Sequence, residues 1–520
     1  MYRAVKRVII VGGGSAGWLT AGVLASRFDT EAQAGLEVVL VESPDVATIG
    51  VGEGTWPSMR TTLQNMGVSE TDFIRECDAS LKQGSRFENW VTGENDHYYH
   101  PFSLPQGFGE FNLVPHWQQV RDKISFADAV CQQSQVCDRG LAAKTISTPE
   151  YAFNVNYGYH LDAGKFAGFL QRHCVDKLGV QHVLDHVTTV NSRPNGDIES
   201  LSTADSGLIH GDLFIDCTGF ASVLIGQHYD VPFKSVRDVL FNDTALAAQV
   251  PYRDSNDPIA SHTLATAQSA GWIWNIGLPT RRGVGHVYSS KYISDENAER
   301  ELRNYLEPIV GRHKSEELSV RKIAINPGYR QEFWHRNCVA VGLSAGFVEP
   351  LEASALVLVE YSAKMIAEQL PANRDIMNIA AKRFNEKFHY RWKQIIDFLK
   401  LHYVLNRQDD QGYWVAHRTS DSVPESLQES VNLWQHQSPW LQDAPHFDEL
   451  FSSASFQFVL CGMGFVSRDN AVSLRADEDN LARANKLFGE NAKRTAHLLS
   501  SLPSNRELIN KVLEFGFQKI

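Results

Sequence analysis

A chain of 520 residues is too long for one small core and predicts two or three packed modules. A hydrophobic share of 43%, a charged share of 21% and the lack of any apolar run of spanning length exclude a disordered or membrane-embedded class. The formal net charge of −12 disfavours nucleic acid and anionic membranes as partners, because both demand a basic surface.

The first apolar stretch, Lys6 to Val11, follows basic residues but runs into glycines rather than a small-residue cleavage site. It predicts a strand, not a signal peptide. Ala16 to Phe28 predicts a helix and Leu36 to Glu42 a second strand. Between strand and helix, Gly12-Gly13-Gly14-Ser15-Ala16-Gly17 fits G-x-G-x-x-G in the setting its mechanism requires. Gly12 permits the tight turn, Gly14 lets the backbone approach a pyrophosphate, and Gly17 allows close helix packing. The helix N-terminus at Ser15 and Ala16 holds phosphate charge. Glu42, closing the second strand, is placed to accept hydrogen bonds from an adenosine ribose. Strand, motif, helix, strand and acid in this order predict a dinucleotide site at the head of a doubly wound parallel sheet.

Leu213 to Thr218 and Val339 to Gly342 are short apolar runs ending in small residues, expected as further strands of the same sheet. The module is therefore discontinuous. Within about 227–326, the runs Thr244 to Val250, Gly271 to Ile276 and Gly285 to Ser289 alternate and predict an inserted antiparallel sheet. From Glu360 onward, Ala363 to Leu370, Met377 to Leu401 and Asn480 to Leu499 carry apolar residues at helical spacing. Gly283-Val284-Gly285 and Gly462-Met463-Gly464 lack a third glycine, so one dinucleotide is expected and no separate nicotinamide domain. The seven cysteines (77, 131, 137, 174, 217, 338 and 461) are scattered without a C-x-x-C pair, which predicts a reducing cytoplasm and no zinc. The nineteen histidines show no metal-ligand spacing, and no metal is expected.

Leu213-Phe214-Ile215-Asp216-Cys217-Thr218-Gly219-Phe220 looks like the segment that FAD-dependent oxidoreductases place near their cofactor. Three further segments make the chain resemble the flavin-dependent halogenases best known for acting on tryptophan. In Gly271-Trp272-Ile273-Trp274-Asn275-Ile276-Gly277, the residues Trp272, Trp274 and Ile276 match the family motif W-x-W-x-I-P, and Gly277 stands where its proline belongs. Ser80-Leu81-Lys82-Gln83-Gly84-Ser85-Arg86-Phe87-Glu88-Asn89-Trp90 resembles the segment that carries the family's essential lysine, with Lys82 matching. Gly342-Leu343-Ser344-Ala345-Gly346-Phe347-Val348-Glu349-Pro350-Leu351-Glu352-Ala353-Ser354-Ala355-Leu356 resembles the flavin and halide loop, with Glu352 at the catalytic carboxylate. Ala353 replaces a serine and Ala355 a glycine of tryptophan-acting members. The segments from Ile49 to Thr55 and from Tyr159 to Phe166 also look like flavin-module segments. The resemblance covers most of residues 5 to 415 and thins beyond.

The expected fold class is α/β, with a discontinuous doubly wound (Rossmann-type) FAD-binding module over 1–370, an inserted antiparallel sheet, and a mainly helical C-terminal substrate cap over 371–520. The resemblance implies FAD, used as FADH2, with O2 and chloride or bromide to make hypohalous acid. It places Val187, Asp216, Leu343 and Leu356 at the cofactor beside the glycine motif and Glu42. It gives Ser354 and Ala355 a halide role through their backbone amides, which need no particular side chain. Lys82 would bind hypohalous acid or form a haloamine, and Glu352 would stabilise the cationic ring intermediate and take its proton. Trp272 and Trp274, sharing one strand face, would keep substrate from the flavin. His100 and Phe102 match aromatic walls around the substrate ring. Each also has a structural reading: an aromatic core stripe, a packing histidine, or a Lys82–Glu352 ion pair.

Implied partners are an electron-rich aromatic such as an indole and a separate NAD(P)H-dependent flavin reductase, and a homodimer is admissible. A flavin-dependent aromatic monooxygenase and a non-catalytic FAD-binding protein stand as alternatives. The native substrate and the preferred halide are not set by the sequence.

Overall fold

The computed structural model describes residues 4–28, 35–46, 52–409, 412–468 and 478–518. The chain divides into two units. One comprises Met1–Ala79, Leu161–Val236 and Asn326–Trp392, the other Ser80–His160, Arg237–Ile325 and Lys393–Ile520. Among the described residues, no helix is long and apolar enough to cross a membrane.

The first unit is built on a six-stranded sheet in the order Trp334–His335, Cys338–Ala340, Leu213–Asp216, Arg7–Val11, Glu37–Glu42, Gln181–Leu184. All neighbours run parallel except the edge strand Trp334–His335. Its central strands read as unbroken apolar runs because a parallel sheet is covered on both faces. Val8 to Ile10, Val38 to Val41 and Leu213 to Ile215 are accordingly buried. The helix Ser15–Arg27 packs against Ala163–Leu178 and Ser354–Glu368. Ala163–Leu178 starts where the Asp162 carboxylate accepts from Lys165 N and stops at Gly179, whose φ of 67° closes the turn. A small antiparallel meander, Val187–Ser192, Ile198–Thr203 and Leu208–His210, completes the long connection to Leu213–Asp216.

The second unit holds a seven-stranded sheet ordered Val320–Ala324, Thr244–Pro251, Arg281–Tyr288, Gly271–Gly277, Thr263–Gln268, Gly84–Glu88, His97–Pro101. Only the pair Thr263–Gln268 and Gly84–Glu88 is parallel. One face carries Leu246, Val250, Ile273, Val284 and Tyr288 against Ala298, Leu302 and Leu306 of the helix Asp295–Val310. The expected inserted sheet thus recruits two strands from before residue 102. The chain passes between units inside one 31-residue helix, Arg374–Val404. The later helices Ser453–Gly462 and Glu478–Ser501 bury Ala454, Phe458 and Ala484 against Tyr99, Trp117, Phe126 and Val130.

The molecule is therefore a mixed α/β protein with a parallel sheet. Helix formation begins earlier than the apolar spacing from Glu360 indicates, at Ser354.

Candidate functional site

The candidate residues fall in both units. In the first unit the chain leaves Val11 through Gly12, whose φ is 113°. A Cβ on Gly12 would lie 2.2 Å from Cys217 O, and one on Gly17 would lie 1.8 Å from Gly12 O, so both positions admit only glycine. Gly14 differs. It is the N-cap of Ser15–Arg27 in extended backbone, and nothing lies within 4 Å of where its Cβ would be. The first amides of a 13-residue helix thus border open space. Glu42 sits across the turn: a Cβ on Gly13 would meet its carboxyl carbon at 2.0 Å, and its Oε2 is 3.1 Å from His182 Nε2. Ser15 Oγ donates to Ala163 O, which ties the glycine turn to the helix that follows Tyr159 to Asp162. Residues 49–51, the start of the segment from Ile49 to Thr55, lie outside the described residues.

Asp216 ends its strand fully buried and its carboxylate organises the next turn. Oδ1 accepts from Thr218 N and Oγ1 at 3.0 and 2.6 Å, and Oδ2 accepts from Leu224 N and Ile225 N, each at 2.8 Å. Four donors occupy the carboxylate, and the Asp216 backbone carbonyl accepts in turn from Val341 N at 2.9 Å and from Ser344 Oγ, which ties this strand end to the turn Gly342–Ser344. Val187 opens its strand of the meander, half-buried and paired with Thr203.

Leu343 lies in the short turn Gly342–Ser344. A Cβ on Gly342 would come 2.8 Å from Ala16 Cβ, which sets this turn against the start of the glycine-motif helix. Ten residues on, Ala353 takes a left-handed φ of 53° and the helix Ser354–Glu368 begins. Ser354 and Ala355 are its first two residues, so their N–H groups have no partner inside the helix. Leu356 is buried one position later. Glu352, just outside, is 3% exposed, and its backbone carbonyl accepts from Trp56 Nε1 at 2.7 Å. Two turns into the helix, buried Glu360 accepts from Ser58 Oγ at 3.1 Å and Thr62 Oγ1 at 2.6 Å. Burial pushes its carboxyl up to about 7, and desolvation does the same for Glu53. Glu360 carries no motif; only its burial singles it out.

In the second unit Lys82 ends the strand Ser80–Lys82, 1% exposed, with Nζ 5.3 Å from the centroid of the Phe102 ring. Phe102 is held in place by its N–H, which donates to Gln83 O at 3.1 Å. His100 is buried beside Phe398 and Phe458, with centroid separations of 5.5 and 6.4 Å. Trp272 and Trp274 share a strand face with rings 6.4 Å apart. Trp272 is fully buried next to Trp90, whereas half-buried Trp274 lies over Gly285, where a Cβ would meet its ring at 2.2 Å. His160 is fully buried and faces Ser80 across the strand pair, a placement that no local pattern reveals.

A parallel sheet headed by a glycine turn and packed against helices places the chain in the α/β class. Residues 7–479 match the tryptophan halogenase family. The chain is 34% identical over 532 residues to the 7-chloro-L-tryptophan 6-halogenase KtzR of Kutzneria, covering 97% of this chain and 99% of that protein. It is 30% identical to the tryptophan 7-halogenase RebH of Lentzea aerocolonigenes, over 98% of this chain and 99% of that one. The solved structure of a tryptophan halogenase from Shewanella frigidimarina superposes with a TM-score of 0.96 at 51% identity, covering 100% of this chain and 99% of that one. The chain belongs to the tryptophan halogenase family. It is an enzyme, a flavin-dependent halogenase, and the comparisons do not favour the monooxygenase or non-catalytic alternatives.

Proposed function

We propose that the chain is a two-component, FADH2-dependent halogenase that installs chlorine or bromine on an electron-rich aromatic of the indole or tryptophan type, with a separate NAD(P)H-dependent reductase supplying the reduced flavin. The observation that carries this reading is the Lys82 amine, buried against an aromatic ring. A lysine kept from water is poised for chemistry that a solvated one does not perform.

The discontinuous parallel sheet of the first unit is read as the doubly wound FAD module. Its residues fit the cofactor. The open space at Gly14, the helix amides at Ser15 and Ala16, and the Glu42 carboxylate at the end of the second strand suit a pyrophosphate and a ribose. Gly12, Gly17, Val187, Asp216, Leu343 and Leu356 are read as the remaining cofactor residues. Bound there with O2 and halide, the reduced flavin supplies hypohalous acid.

The chain's own residues then control that oxidant. The amides of Ser354 and Ala355, at a helix N-terminus behind a left-handed residue, suit a halide anion. Lys82 takes the halogen from hypohalous acid or hydrogen-bonds it and presents it to the ring. Glu352, its main chain fixed by Trp56, accepts the proton that the halogenated ring must lose. His100 and Phe102 are read as ring walls, Trp272 and Trp274 as the barrier that withholds substrate from the flavin, and the C-terminal helices as the substrate cap.

The test is mass spectrometry of an aromatic panel incubated with enzyme, FAD, a reductase system and each halide, for wild type, Lys82→Ala and Lys82→Arg. Wild type gives halogenated product, and both variants lose it by about a hundredfold or more while keeping flavin binding. The permanently charged guanidinium of Lys82→Arg cannot supply a neutral amine. Near wild-type product from Lys82→Arg returns Lys82 to a structural role.

A further inference from the structure

Lys82 is 1% exposed, so the proton that its ammonium must shed before the nitrogen can bond a halogen has no direct path to bulk water. The strand pair points to where it goes. Ser80 lies opposite His160 and Lys82 opposite Gly158 in an antiparallel register. Residues directly opposite, and those two apart on one strand, share a sheet face. Lys82, Ser80 and His160 therefore line one face. Gly158 puts no side chain next to Lys82, which leaves His160 as its diagonal neighbour, within reach of a long side chain.

The surroundings fix this imidazole without occupying it. His160 Nε2 is 2.9 Å from Thr263 Oγ1, which sets the ring, and Ser80 Oγ is turned away to donate to Gly277 O. His160 Nδ1 is buried with no hydrogen-bond partner among the described residues. The titratable groups acting on the ring are Lys82 and His262, the latter with Arg86 and Tyr99 beside it. Burial first, then Lys82 and His262, hold His160 well below the ordinary histidine range, so its imidazole rests neutral.

We propose that His160 is the positioning residue for Lys82, orienting its amine and taking up the proton that the amine must lose to react with hypohalous acid. With Nε2–H donating to Thr263, Nδ1 carries the lone pair. The proton passes from the Lys82 ammonium to Nδ1. The amine nitrogen then bonds the halogen, and the O–X bond breaks toward oxygen, which leaves as water with a second amine hydrogen. Ammonium, imidazole and hypohalous acid thus become haloamine, imidazolium and water. When the nitrogen yields the halogen to the ring, it keeps the bonding pair and takes up, by way of Glu352, the proton that the ring loses, and His160 returns its own. The number of buried charges stays at one throughout, and once the proton has left Lys82 its charge no longer opposes a proton on His160.

The inference rests on the reading of Lys82 given above, and the experiment separates the two. Enzyme with FAD, a reductase system, O2 and chloride, but no organic substrate, is desalted. Retained N–Cl is then titrated with 5-thio-2-nitrobenzoate as a function of time and pH. His160→Gln keeps a partner for Thr263 but cannot take a proton, and His160→Asn serves if the first variant does not fold, as judged by melting temperature. The expected result is N–Cl formation slowed about tenfold or more at pH 6, with the deficit narrowing toward pH 9 as hydroxide takes the place of the missing base. Rates equal to wild type at every pH, or one constant fractional loss across pH, overturn the role of His160 alone, provided Lys82→Ala retains no N–Cl. Wild-type levels of N–Cl in Lys82→Ala, or none in wild type, overturn the Lys82 reading and this inference with it.

Discussion

Two glycines of one motif do different work, and their substitutions separate stability from cofactor binding. At Gly17 an added Cβ would overlap the Gly12 carbonyl at 1.8 Å, a collision with backbone that no rotamer relieves. At Gly14 the backbone φ of −76° suits any L-residue and nothing of the protein lies within 4 Å of the new atom. Gly17→Ala is therefore expected to destabilise the flavin-free protein by about 1–3 kcal/mol, the usual cost of overpacking. Gly14→Val should leave the flavin-free melting temperature nearly unchanged and abolish FAD binding, because only a pyrophosphate would meet the side chain. Thermal melts with and without FAD, alongside fluorescence titration of the flavin, read both. A folded Gly14→Val protein with normal FAD affinity would mean that the cofactor lies elsewhere.

Among the elements, the helix Ser354–Glu368 joins the loop that carries Glu352 to the body of its unit, and Glu360 clasps it to Ser58 and Thr62. The clasp is bought with a buried carboxylate. Its folded-state pKa of about 7 stands above the free value of 4.5, so the stabilising contribution is complete below 4.5 and is lost as pH rises through about 7. Over that window the loss is about 3 kcal/mol. Glu360→Gln can accept from one hydroxyl through its amide oxygen, donate to the other through its amide nitrogen, and carries no charge. It is expected to melt above wild type at pH 8, with the difference shrinking toward pH 5. A melting-temperature difference independent of pH would show that Glu360 ionises without cost. The helix was only half legible in the sequence. Its apolar spacing is visible from Ala363, but Ser354 to Tyr361 mixes apolar residues with a buried glutamate, and partners that sit about 300 residues earlier give no local sign.

At the scale of the whole molecule, one glycine motif heads one parallel sheet, and this organisation predicts that purified protein binds FAD yet leaves it oxidised when mixed with NADH or NADPH. Stopped-flow absorbance checks it, and fast reduction of the bound flavin by either nicotinamide would refute the separate-reductase reading. The sequence by itself determined the features whose physics is local. The glycine turn needs its glycines, its strands and its acid within one short stretch, and Arg7–Val11, Ser15–Arg27 and Glu37–Glu42 lie within a residue or so of where the pattern puts them. The inserted sheet was legible for the same reason, since Thr244–Pro251, Gly271–Gly277 and Arg281–Tyr288 alternate along the chain. The tertiary structure alone decided the pairings between distant segments. Gly84–Glu88 joins that sheet beside Thr263–Gln268, in the register Thr263↔Ser85, and carries His97–Pro101 to its edge. The Ser80↔His160 register likewise sets an imidazole beside a lysine almost eighty residues away. Strand pairing is made by backbone groups that every residue carries, so side-chain periodicity names the strands but not their partners, and only the closed fold shows which chemistry shares a face.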